Sequence, residues 1–82
     1  MVGLYEFKMM PLAAQAEYIW DNGKFLATRR AGRFTINLYY LGSYFAEVMY
    51  AADNLNEIAD IRTFISKRNL GSYNVDIDLD TL

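Results

Sequence analysis

The stretch ADNLNEIADIRTFISK, residues 52 to 67, decides the fold. As a helix it has good credentials: Asn54 and Glu57 form a capping box, and Leu55, Ile58, Ile61 and Ile65 recur at helical spacing. As a strand, Asp53 to Asn56 is a polar turn, and IADIRTFIS, residues 58 to 66, is rich in Ile, Thr and Phe. Local signals favour the helix slightly. The surroundings tip the reading to a strand, because three strands and one helix make a poor sheet for covering a helix this apolar.

Upstream, the run PLAAQAEYIWDNG, residues 11 to 23, is helical in composition, with Pro11 in the first turn and Asn22-Gly23 as a stop. It predicts a helix over 11–22 with an apolar stripe of Leu12, Ala16, Ile19 and Trp20. KFLATRR (24–30), RFTINLYYL (33–41) and SYFAEVMYA (43–51) then read as strands. The short breaks at Ala31-Gly32 and Gly42-Ser43 make them antiparallel neighbours in a meander. The opening MVGLYEFKMM lacks a cap signal and reads as extended. The closing RNLGSYNVDIDLDTL reads as a short helical turn near 69–75 followed by an acidic tail. The expected fold is α+β: one N-terminal helix on a four-stranded antiparallel meander, a single domain over residues 1–82.

Composition narrows the chemistry. The 82 residues include no cysteine and no histidine. Disulfides, thiolate zinc sites and the commonest general base are therefore excluded. Ser43, Ser66 and Ser72 have no histidine to activate them, and the five glycines are scattered singly rather than forming a phosphate loop. Glu47 and Asp60 could form a carboxylate pair across the third and fourth strands, although Arg62 beside them reads more simply as a counter-ion. The expectation is a protein that is not an enzyme and holds no cofactor. No apolar run approaches the ~20 residues of a membrane span. Glu6 and Lys8 interrupt any signal-peptide core, so a cytoplasmic location is expected.

The segment TRRAGR, residues 28 to 33, carries three of the eight positive charges. Arg29, Arg30 and Arg33 on a hairpin, with tyrosines for stacking, suit a nucleic-acid or nucleotide ligand. Against that reading, the net charge is −2. The other basic cluster, Lys67-Arg68, falls at the opposite end of the sheet. Arg29 and Arg30 point to opposite faces, and Asp53 and Glu57 lie near the tip. Charges that keep a hairpin tip soluble explain the segment more simply.

Alternation sorts the sheet into two faces. One is expected to hold Phe34, Ile36, Leu38 and Tyr40 with Tyr44, Ala46, Val48 and Tyr50, joined by Ala59, Ile61, Thr63 and Ile65, and to receive the helix. The other then carries Tyr39, Phe45, Glu47, Met49, Arg62 and Phe64. These are residue types enriched in protein interfaces, and in water they would form a substantial apolar patch. The leading functional expectation is a small non-enzymatic protein-interaction module, an inhibitor or adaptor, that binds another protein or itself as a homodimer through this face. Nucleic-acid binding through Arg29, Arg30 and Arg33 is the alternative.

The string QAEYIWDNGKFLATR, followed by INLYYLGSYFAEVMY and IADIRTFIS, resembles a group of small uncharacterised bacterial proteins. The shared pattern is a Q-A-x-x-x-W-x-x-G-x-F-L junction, an L-Y-x-L-x-x-F-x-V-E-V strand pair and an I-x-x-I-R-x-F strand. The matching positions are Gln15, Ala16, Trp20, Gly23, Phe25, Leu26, Leu38, Tyr39, Leu41, Glu47, Val48, Ile58, Ile61, Arg62 and Phe64, with Phe45 one residue past the Phe of the strand-pair pattern, over about two thirds of the chain. Ala46 departs from it, where the pattern tends to have a larger residue. The resemblance implies a helix followed by a β-meander, supports the fourth strand, and carries no activity.

Overall fold

The computed structural model describes residues 2–51 and 53–65. Its elements are α1 (Leu4–Met9), α2 (Leu12–Asn22), β1 (Lys24–Ala31), β2 (Phe34–Tyr40), β3 (Phe45–Ala51) and β4 (Asn54–Phe64). The strands form one antiparallel sheet in the order β1-β2-β3-β4, an α+β meander. The ambiguous segment is thus a strand, in spite of its capping-box pattern. Pairing with β3 along most of its length outweighs a weak local preference. The helical turn and acidic tail expected near the C-terminus lie outside the described residues.

Three local expectations need correction. The opening residues are not extended: Leu4–Met9 form a short helix with no side-chain cap. A helix of six residues has little stability of its own. It is held by Phe7, which is 0% exposed, packed at tilted angles against Tyr18 and Tyr44. Gln15 Nε2 donates to the Phe7 carbonyl at 2.9 Å, and the Val2 N–H donates to the Tyr18 hydroxyl at 2.7 Å.

The second correction concerns the face that α2 buries. The expected stripe was Leu12, Ala16, Ile19 and Trp20. Ala16 and Ile19 are buried, but Leu12 is 42% and Trp20 is 56% exposed. The short α1 occupies the side of α2 around Gln15 and Tyr18, which leaves Leu12 and Trp20 outside the core.

The third correction concerns the faces of the sheet. The Leu41 N–H donates to the Tyr44 carbonyl at 2.9 Å, so Gly42 and Ser43 form a two-residue tip, with Gly42 at φ +94°. Such a tip sets even-numbered residues of β2 opposite odd-numbered residues of β3. The register follows: Leu38 faces Glu47, Tyr39 faces Ala46, and Tyr40 faces Phe45. Directly opposed residues share a face of the sheet. Tyr39 therefore sits with Ala46, Val48 and Tyr50, while Ile36, Leu38 and Tyr40 sit with Phe45, Glu47 and Met49. The expected faces joined the wrong halves of β2 and β3. On the β3–β4 side the expected pairing holds, with Thr63 opposite Ala46 and Ile61 opposite Val48. A bulge then lets Ile58, in place of Ala59, face Tyr50.

These faces correspond to two apolar clusters. Phe7 of α1 and Ile19 of α2 join Leu41, Tyr44, Ala46 and Val48, with Tyr39, Tyr50, Ile58 and Ile61 around them. Ala27, Leu38 and Phe45 form the second cluster on the opposite face, flanked by Leu26, Tyr40 and Phe64.

Candidate functional site

The interaction residues read from the sequence do not form one exposed surface. Tyr39 is on the helix-bearing face, with Phe25 edge-to-face against its ring at 5.7 Å. Burial raises the Tyr39 phenol pKa above its ordinary value; Tyr50 adds to the rise, and a hydrogen bond with Asn37 partly offsets it. Phe45 and Met49 lie on the opposite face and are already buried, at 2% and 8% exposure. Phe45 stacks on Phe64 with ring centroids 5.0 Å apart and meets Tyr40 at 5.2 Å. A side chain buried in its own chain offers little further apolar area to a partner.

The charged members are also engaged. Glu47 faces Arg62 across β3 and β4, as expected, but its carboxylate receives a hydrogen bond from Arg29 at 3.2 Å, two strands away. That pair is partly buried. Arg62 instead contacts Asp60 on its own strand, Nε to Oδ2 at 3.3 Å, and both are well exposed. Glu47 and Asp60 are thus each tied to an arginine rather than to one another.

The three arginines of the hairpin diverge. Arg29 pairs with Ile36 and Arg30 with Thr35, so their side chains leave opposite faces of the sheet. Arg33 lies at the tip with Gly32, which has a positive φ of 58°. It borders a cleft with Phe34, Ala51 and Asp53. No single face gathers all three. Among the described residues, no cluster of three or more acidic side chains could hold a metal ion, and no helix is long and apolar enough to cross a membrane.

An exposed apolar surface lies elsewhere. Leu12 and Trp20, turned out of the core by α1, join Ala13 and Ala16 of α2 and Glu57 and Ile58 of β4 to line a groove of about 330 Å³. Beside it runs an edge of the sheet, since β4 is the outer strand among the described residues. The outer edge can be located from one hydrogen bond: the Ile61 N–H donates to the Asp60 side chain, at 2.8 Å. A backbone donor satisfied in this way is directed away from β3. Ile65, just past the end of β4, is 64% exposed. The sequence contained the signal for this groove in the apolar residues of α2, but assigned Leu12 and Trp20 to the core.

No family model, curated protein or solved structure matches this chain.

Proposed function

We propose that this chain is a small non-enzymatic protein-interaction module, of the adaptor or inhibitor kind, whose contact surface is the groove between α2 and the outer edge of β4. One observation carries this reading: Trp20 and Leu12 stand half-exposed over the groove, beside an edge strand. Tryptophan is the residue most characteristic of interface hot spots, and a half-exposed one next to an apolar groove is a natural anchor. Strand edges supply backbone donors and acceptors that a partner can use. The aromatic sheet face suits this role less well, because Phe45 and Met49 are buried and Tyr39 lies on the other side.

The test is site-specific photo-crosslinking in cells that express the full chain. A photoreactive residue replaces Trp20 in one variant and the exposed Lys8 of α1 in another. The expected result is a discrete adduct from position 20 that is absent from position 8. Equal, diffuse labelling from both positions would overturn the reading.

A further inference from the structure

We propose that the occupant of this groove is a second copy of the chain, docked by antiparallel pairing of the two β4 edges about a two-fold axis at Ile61. The inference rests on the interaction reading above and identifies the partner. Three observations support it.

The first is charge. Asp60 and Arg62 flank Ile61 on β4, exposed, on the face opposite the helices. Pairing β4 with its own copy about Ile61 sets each Asp60 opposite the second copy's Arg62. The single contact within each chain becomes two cross-strand pairs. The exchange costs little, because an exposed pair of this kind contributes little to stability. Opposed unlike charges favour the pairing and like charges disfavour it.

The second is the backbone. The Ile61 N–H is directed outward and is held by the neighbouring Asp60 carboxylate. When Asp60 turns to the second copy's Arg62, that donor is released to the carbonyl of the facing strand. In an antiparallel ladder, two residues whose polar groups both point across exchange a pair of hydrogen bonds. Ile61 opposite Ile61 is such a pair.

The third is shape. With the bulge at Ala59 counted, this register sets Thr63 of each copy opposite Ile58 of the other and brings Ile65 just past it. Continuing the alternation of Ile61 and Thr63, the Ile65 side chain lies on the helix-bearing face. There it enters the groove under Leu12 and Trp20 and buries an exposed apolar group on each side. With the bulge at Ala59 counted, the two grooves, each at Ile58, are four ladder steps apart along the paired strands, about 13 Å at ~3.3 Å per residue. A helix is ~10 Å across with its side chains, so the two α2 helices fit without collision. The product is a continuous eight-stranded sheet that carries all its described helices on one face.

The test is solution mass by light scattering on the full chain, from about one micromolar to about one millimolar. The variants are Asp60→Arg and Arg62→Asp, alone and mixed one to one. Both positions are well exposed, so folding is preserved, and circular dichroism verifies it. The wild type is expected to reach twice the chain mass. Each variant alone should associate at least tenfold more weakly, because like charges then oppose one another across the pairing. The mixture should recover the dimer, because two arginines on one strand then face two aspartates on the other. A wild type that stays monomeric overturns the second-copy assignment, while a discrete heterologous adduct at position 20 would still uphold the interaction reading. Variants that dimerise as well as wild type, or a mixture that stays monomeric, overturn the Ile61 register.

Discussion

Replacing Phe7 with alanine tests whether α1 belongs to the core. Phe7 is fully buried between Tyr18 and Tyr44, and its helix has no side-chain cap to support it. Truncating a buried phenylalanine costs about 3–5 kcal/mol through lost transfer energy and the cavity left behind. A chain of this length has a total stability of roughly 4–12 kcal/mol. The substitution should therefore remove a large fraction of it. In a domain of this size, each 1 kcal/mol lowers Tm by about 4–8 °C. Phe7→Ala is thus expected to melt more than ~10 °C below wild type, with a matching fall in the urea midpoint at unchanged m. The loss would reach the sheet, because Tyr44 donates from its hydroxyl to the Val2 carbonyl at 2.9 Å and would lose that restraint. Tyr5→Ala on the same helix is the control: Tyr5 is highly exposed and should change stability by less than ~0.5 kcal/mol. A Phe7→Ala loss below ~1 kcal/mol would refute the reasoning, because α1 would then be an appendage that opens independently of the sheet.

Other expectations concern the junction, the ion pairs and the tyrosines. At Gly23 an added Cβ would meet the Ile19 carbonyl oxygen at 2.6 Å, with Ile19 and Leu41 side-chain atoms at 3.3 Å. Gly23→Ala should therefore destabilise by about 1–3 kcal/mol in urea titration, against the small gain such a change brings at an open site. Glu47→Ala leaves the partly buried Arg29 without its observed carboxylate partner, and should cost about 1–3 kcal/mol. Asp60→Ala, at an exposed pair, should cost less than ~1 kcal/mol in the monomer by the same measurement. Burial raises the Tyr44 phenol pKa above its ordinary value of 10.0, with Tyr18 and Glu6 adding to it, as burial also does for Tyr39. A raised folded pKa means that the folded chain retains protons which the unfolded chain releases. This contribution to stability is intact below pH 10.0 and falls as pH rises through the folded values. Urea midpoints should be level just below that pH and drop above it. Replacing both Tyr39 and Tyr44 with phenylalanine should flatten the drop, and an unchanged drop would exclude these two tyrosines as its source.

The meander was legible because its signals are local. Two-residue tips, β-branched and aromatic runs and the Asn22-Gly23 stop each act within a few residues. The strand nature of β4 came from a global argument, since its capping-box pattern pointed the other way. The faces of β2 and β3 were also within reach, because pairing Leu41 with Tyr44 fixes which residues oppose which. Grouping the even-numbered residues of both strands instead assembled a binding face from the two sides of the sheet. The fate of α2 was harder to read. Trp20 and Leu12 look like core residues on a helical wheel, and only the packing of Phe7 against Tyr18 turns them outward. That packing depends on an uncapped six-residue helix, which has no signature of its own in the sequence. The position of Asp60 was likewise hidden, because it shows only in the hydrogen bond that its side chain accepts from the Ile61 N–H.

If the apolar surface open to a partner lies between α2 and the β4 edge, and the aromatic sheet face is closed, the two should differ in reactivity. Hydroxyl-radical footprinting of the folded chain at rising protein concentration tests this most directly. Leu12, Trp20 and Ile65 should react readily in dilute solution and become protected together as concentration rises. Phe45 and Met49 should stay protected throughout. Phe45 and Met49 reacting as fast as Trp20 would contradict the claim, and so would labelling at Trp20 that stays constant at every concentration and beside every partner offered.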